Sequence, residues 1–351
     1  MRTTLALLAA VVLLLAAAGL PGAAAAHAAT PDVQLLATYE PVMQFDPLEQ
    51  FRPTKVQSFL TDANLEQLAG SDWSIVQSNP PPGNLPDSGS GTWRLDQAGC
   101  SPNAPIGGLA CYETASNRGG GGPTIYGRVV HQDGDIVLQY WFFYYDDALI
   151  LPPVPIPGYG PATFWQSHEG DWEVANVILD PNGNPVEAAY SQHCSGQRKA
   201  WGDVQKWPAG STHPVDYVAL GSHANYFAPG AGPLGAIPIN PACIPSFVPA
   251  MLTPYVVDQV VDGSSVGAVV GPPGTGAGVE HASIKKIDGE GWASFGGRWG
   301  ESEYFYTPIP LTVPGLGTVP GNTALPMGLS PASPANQANW QPATVLGWPS
   351  S

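Results

Sequence analysis

The stretch Ser167-His168-Glu169-Gly170-Asp171-Trp172-Glu173, running on into Val174-Ala175-Asn176-Val177-Ile178-Leu179, decides how the chain is read. Its apolar half is rich in β-branched residues and closes on the turn sequence Asp180-Pro181-Asn182-Gly183, which predicts a β-strand. Side chains alternate along a strand, so Asp171 and Glu173 project to one face and Trp172 to the other. His168 stands just upstream on a lead-in that Gly170 makes flexible. The carboxylate face continues as Ala175, Val177 and Leu179, which places two acids at the mouth of an apolar interior. Charges there cost free energy unless compensated, and a cation would compensate them. A blander alternative stays open, in which the two acids solvate a strand end and pair with an arginine.

Working outward, composition favours short strands and long loops. Only 11% of the 351 residues are charged, while Gly (42) and Pro (39) are abundant, which disfavours a helical protein. The 28 acidic residues against 12 basic ones give a formal charge of −16. That balance repels nucleic acid and anionic membranes and attracts divalent cations. Met1 to about Ala29 has the pattern of a signal segment: Arg2, an apolar run from Leu5 to Ala18, and small residues at Ala24 to Ala28. The run is too short for a comfortable membrane span, and no later stretch is long and apolar enough. The chain is therefore expected to be exported and released. The expected layout is a signal segment (1–29), a single β domain (30–307) and a Pro/Gly-rich C-terminal extension (308–351), extended or partly disordered.

Four cysteines suit an oxidising destination and allow three pairings. The favoured ones join neighbours, Cys100 with Cys111 and Cys194 with Cys243. Tyr39 to Phe45 reads as a first strand. Thr54 to Leu68 offers the one helical pattern, through Phe59, Leu60, Leu65 and Leu68, with Thr61 or Asp62 as N-cap. Thr124 to His131 and Ile136 to Tyr145 form a hairpin around Asp133-Gly134. The second of these strands is apolar on both faces and belongs at the centre of a sheet. Four histidines, His168, His193, His213 and His223, fall between the opening motif and Gly221-Ser222-His223, three of them at strand ends, where sites are commonly built.

Some motifs fall away. His168-Glu169 begins like a zinc-protease H-E-x-x-H, but Trp172 occupies the second histidine position. Gly263-Ser264-Ser265-Val266-Gly267 matches a nucleophile elbow, but Gly271-Pro272-Pro273-Gly274 forbids the helix that must follow.

The motifs that remain resemble the vacuolar protein sorting-associated protein 62 family. The matching pieces, in order, are Tyr39-Glu40-Pro41-Val42, Gln139 to Tyr144, His168 to Glu173, Tyr217 to Tyr226 and Phe295 to Gly300. More distantly, the opening stretch is similar to the Gly-His-Arg-His-Asp-Trp-Glu heptapeptide of the necrosis- and ethylene-inducing peptide family, secreted β-sandwich toxins that hold Ca²⁺ or Mg²⁺ and engage sphingolipid sugar headgroups. That resemblance implies metal ligands at His168, Asp171 and Glu173, and a fourth at Asp146 after the aromatic strand. Ser191-Gln192-His193 matches its Ser-x-His element. The chain departs from that family at Glu169 and Gly170, which replace Arg and His.

The fold expected from these readings is all-β, an antiparallel β-sandwich of jelly-roll type with one short helix outside. Two functions are expected side by side. One is a secreted binding protein in which Asp146, His168, Asp171 and Glu173 hold a divalent cation that meets a glycan or lipid headgroup. Carboxylates favour Ca²⁺ or Mg²⁺, and the histidines leave room for Mn²⁺ or Zn²⁺. The other is a metal-dependent extracellular hydrolase of polysaccharides or phosphoesters, in which His193 or His223 moves protons. A third, plainer reading is an extracellular coat protein whose polar cluster is structural.

Overall fold

The turn at Asp133-Gly134 sets the register of the largest sheet. Both residues have left-handed backbone (φ 55° and 96°), as a two-residue hairpin with the right-handed strand twist requires. In this computed structural model, which describes residues 31–89, 91–102, 112, 121–156, 158–231, 235–244, 248, 256–261, 266–313, 317–326 and 328–351, the turn joins strands Thr124–Gln132 and Asp135–Ile150. The expected signal segment and Cys111 lie outside the described residues.

The strand Asp135–Ile150 runs antiparallel to Thr124–Gln132 on one side. On the other it pairs with Trp165–Leu179, the strand that carries the opening motif, from Ile136 opposite Leu179 to Ile150 opposite Trp165. Pro185–Gln192 and Ser195–Ala200 extend the sheet beyond the motif strand, and Ser283–Lys286 lies parallel to Thr124–Gln132 at the far edge. No residue from Val137 to Tyr145 is more than 2% exposed, the condition its apolar run anticipates. One face of the large sheet packs on a five-stranded sheet ordered Asn225–Tyr226, Val215–Val218, Val42–Phe45, Val269–Gly271, Val279–His281. Met43, Phe45 and Val218 share a core with Tyr140 and Tyr190, and the Tyr190 hydroxyl donates to the Val215 carbonyl at 2.9 Å. On the other face, Phe143 and Tyr145 meet Phe59, and Phe143 meets Trp299.

The expected all-β sandwich is thus what forms. Within it, the large sheet is antiparallel except at its Ser283–Lys286 edge, and the small sheet is mixed, with Val42–Phe45 parallel to Val215–Val218.

The helix expected over Thr54 to Leu68 stops early. It covers Val56–Thr61, with Lys55 rather than Thr61 or Asp62 at the N-cap position and Asp62 at the C-cap position, and Ala63–Ala69 is a strand between Asp72–Ser78 and Trp93–Gln97. Phe59 and Leu60 are buried from the helix and Leu65 from the strand. Apolar residues of two short elements had imitated one helical stripe, and sheet pairing outweighed that weak local preference. The C-terminal stretch, expected to be extended or partly disordered, pairs and packs with the rest of the fold. Thr323–Pro326 pairs with Tyr304–Thr307, and Val345 and Trp348 join the main core. Cys194 and Cys243 are disulfide-bonded; Cys100 is also in a disulfide.

Candidate functional site

The motif strand is paired on both sides along most of its length but not at the motif. Ala175 to Leu179 lie between Asp135–Ile150 and Pro185–Gln192, and Trp165 to Ser167 lie between Asp135–Ile150 and Tyr304–Thr307. From His168 to Val174, among the described residues, the strand has ladder partners on the Asp135–Ile150 side only, and Gly170 has none. A cavity of about 490 Å³ opens at this gap, lined by Asp147, His168, Asp171, Glu173, His193 and Glu303 among others, with Arg298 on its wall.

His168 and Asp171 are three residues apart, so a regular strand would send them to opposite faces. Gly170 prevents that. Its φ of 58° is left-handed, a conformation that costs other L-residues about 1–2 kcal/mol, and it resets the alternation between Glu169 and Asp171. Glu169 turns into the core with Trp172, its carboxylate accepting from the Tyr112 hydroxyl at 2.7 Å and the Gln97 amide at 3.2 Å. His168 joins the face of Asp171. Directly opposite His168 in the ladder is Asp147, and partners of this kind share a face. Ligand atoms of Asp147, His168 and Asp171 all lie within 4.8 Å of one another.

Two of the three are held by a neighbour outside the cluster. His168 Nδ1 donates to the Gly170 carbonyl at 2.8 Å, which leaves Nε2 facing Asp147 Oδ2 at 3.6 Å. Asp171 Oδ2 meets His223 Nδ1 at 2.9 Å. The His223 ring is fully buried and stacks on Tyr144, with centroids 3.7 Å apart and planes 2° apart. Among the described residues, Asp147 Oδ1 is buried without a hydrogen-bond partner. Burial pushes the Asp147 carboxyl up to about 7. Burial alone would lower His168, but Asp147 and Asp171 outweigh it and raise the imidazole. His223 behaves alike: burial opposes its charge, yet Glu49 and Asp171 lift it to about 10.

The other expected residues fall around this cluster. Glu173 is 6% exposed, accepts a hydrogen bond from Ser191 Oγ and lines the same cavity. Burial, then Asp171, hold its carboxyl well above the usual range. His193 sits across the gap with Nε2 at 2.8 Å from Asp258 Oδ2, and Asp258 also accepts from the hydroxyls of Ser222 and Tyr226. Asp146 is not brought into the cluster. It stands opposite Glu169 in the ladder and lines a different cavity, with Glu49. His213 is elsewhere, its Nδ1 against the Glu40 carbonyl. Glu49, Asp258 and Glu303 went unnoticed in the sequence. They come from three distant segments, and none carries a local pattern that sets it apart from a surface acid.

No protein-family model and no curated protein sequence matches the chain, so the resemblance to the vacuolar protein sorting-associated protein 62 family gains no support from them. The more distant resemblance is met again among solved structures, as toxin-fold proteins of the necrosis- and ethylene-inducing type. "NLPPya in complex with mannosamine" is 16% identical over 56% of this chain and 68% of its own, with a TM-score of 0.30. "Non-toxic HaNLP3 protein" is 12% identical over 57% of this chain and 70% of its own, at a TM-score of 0.29. "Necrosis and Ethylene inducing Protein 2 from the causal agent of cocoa's Witches Broom disease" is 17% identical over 57% and 69%, at 0.26.

Proposed function

We propose that the chain is an exported protein that holds a divalent cation among Asp147, His168 and Asp171 and presents it to hydroxyl groups of a glycan or lipid headgroup. The observation that carries this reading is the convergence of two carboxylates and an imidazole within 4.8 Å, about the largest separation of two donors on one ion at ligand distances of roughly 2.0–2.6 Å. The unpartnered, buried Asp147 Oδ1 supports it, since such an oxygen costs free energy that a cation removes. So does the anchoring of two of the donors: the Gly170 carbonyl orients His168 and His223 orients Asp171, as outer partners of metal ligands do. Glu173 backs the cluster and Asp146 stays outside it. Two carboxylates and one imidazole suit Ca²⁺ or Mg²⁺ and admit Mn²⁺ or Zn²⁺. When bound, the ion would supply Lewis acidity and an open coordination position toward the groove. Export is supported by the Cys194–Cys243 disulfide. Among the described residues no helix is long and apolar enough to cross a membrane.

Calorimetric titration of chelator-treated protein with Ca²⁺, Mg²⁺, Mn²⁺ and Zn²⁺ tests the ion. One equivalent should bind, and Asp171→Asn should abolish binding; equal uptake by a folded Asp171→Asn protein would refute the site. A glycan and lipid-headgroup panel, read with and without chelator, tests the ligand.

The hydrolase reading keeps one observation of its own. His193 faces the groove while Asp258 fixes its Nε2, an arrangement able to move a proton. Metal-dependent turnover of a polysaccharide or phosphoester, lost in His193→Gln, would establish it.

A further inference from the structure

Across His223 from the metal cluster lies a second cavity of about 450 Å³, within the size range of small-molecule sites. Its walls are mainly apolar, through Leu48, Phe51, Ile150, Leu151, Pro152 and Pro153, with Gln50, Thr163 and Gln259 as neutral polar residues among them. Leu48 and Ile150 stand at its rim, 72% and 37% exposed. Two acids, Glu49 and Asp146, also line it, and among the described residues no lysine, arginine or histidine does.

The two acids differ in what holds them. Glu49 accepts from the Phe51 and Gly221 amides, each at 2.7 Å, and its Oε2 lies 3.7 Å from His223 Nε2. Asp146 is 1% exposed, and among the described residues its Oδ1 is buried with no hydrogen-bond partner. Asp147, Glu169 and Glu49 surround it with like charge, which His223 opposes in part. A carboxyl oxygen left unsatisfied at the edge of an apolar space costs free energy that a donor from a ligand would restore. The lining chooses the donor. A carboxylate or phosphate would meet two acids, and a neutral alcohol would answer the hydrogen bond but not the charge. An ammonium answers both, and the walls supply surface for a hydrocarbon body.

We propose that this cavity binds a small organic amine, its ammonium at Asp146 beside Glu49 and its apolar part against Phe51, Ile150 and Leu151. The site is distinct from the cation cluster and works without it.

Calorimetry of the full chain with n-hexylamine, with chelator present, tests this against 1-hexanol and hexanoate. Hexylamine should bind saturably, at least ten-fold tighter than hexanol, and hexanoate should not bind. Asp146→Asn should weaken hexylamine at least ten-fold while circular dichroism stays native. Ile150→Trp, changed at the rim alone, should block entry. The proposal is overturned by equal affinity for amine and alcohol, by no amine binding to the folded wild type, or by undiminished binding to folded Asp146→Asn. If Asp146→Asn does not fold, Ile150→Trp decides, and undiminished binding there overturns the proposal.

Discussion

Replacing Gly170 by alanine tests the reset of alternation on which the Asp147–His168–Asp171 cluster depends. A Cβ at Gly170 would stand 2.5 Å from the Trp299 carbonyl oxygen and 3.1 Å from Trp299 Cβ, on a backbone with φ 58°. Gly183 is the natural control, because its φ is 83° and a Cβ there meets nothing within 4 Å. Left-handed alanine costs about 1–2 kcal/mol, offset by about 0.4–1 kcal/mol through the stiffer unfolded chain. Gly183→Ala should therefore lose about 0–1.6 kcal/mol. Gly170→Ala carries the same strain plus an overpacking cost of about 1–3 kcal/mol, for a total of about 1–4.6 kcal/mol. At roughly 2–4 °C per kcal/mol for a large domain, its melting temperature should fall by about 2–18 °C. Urea unfolding of the two variants beside wild type measures the difference directly. A Gly170→Ala protein that relaxes out of the left-handed region would also swing His168 away from Asp171, so its response to divalent cations should vanish even where it remains folded. Equal losses in the two variants, with the cation response kept in Gly170→Ala, would refute this account of the strand.

A divalent ion at a hundred times its dissociation constant should stabilise wild type by about 2.7 kcal/mol, and Asp171→Asn should abolish that gain more completely than His193→Ala, read from melting curves with and without chelator. Trp172→Ala should cost about 3–5 kcal/mol in urea unfolding, whereas Glu173→Gln should chiefly weaken the ion; near-wild-type stability of Trp172→Ala would mean that the strand faces are reversed. Burial opposes the charge of His193, but Asp258 lifts its pKa to about 9, above an unfolded value near 6.5. Its stabilisation is therefore complete below about pH 6.5 and is lost as pH rises through about 9. Urea midpoints between pH 6 and 9.5 should show that decline, and His193→Gln should reduce it; an undiminished decline in the variant would remove His193 as its source.

What could be read in advance was local. Asp133-Gly134 announces its hairpin because the turn demands left-handed backbone, and the run from Val137 to Tyr145 announces burial because nothing polar interrupts it except Gln139. Trp172 and its flanking acids were placed on opposite faces by alternation alone. The helix over Thr54 to Leu68 misled because helical spacing was shared between two short elements, and only pairing with Asp72–Ser78 and Trp93–Gln97 decides between them. Asp147 escaped notice for a different reason. Its role depends on which residue faces His168 across the ladder, and that depends on the backbone of Gly170. Glu49, Asp258 and Glu303 reach the site through long-range topology, which no window of neighbouring residues contains.

Trp172 gives the motif strand an optical consequence. Its indole stacks on Trp292 at 5.4 Å, with planes 13° apart, and meets Trp299 edge-on at 5.5 Å. Three rings so close and so fixed absorb as a coupled unit, with a near-ultraviolet circular dichroism that is sensitive to small rotations. The middle peptide units of the candidate cation site, on either side of Trp172, are also those that aim this indole. Any tightening of Asp171 or Glu173 around an ion therefore turns one chromophore of the set. Occupancy can accordingly be followed in unlabelled protein, by a signal arising in the core rather than in the groove.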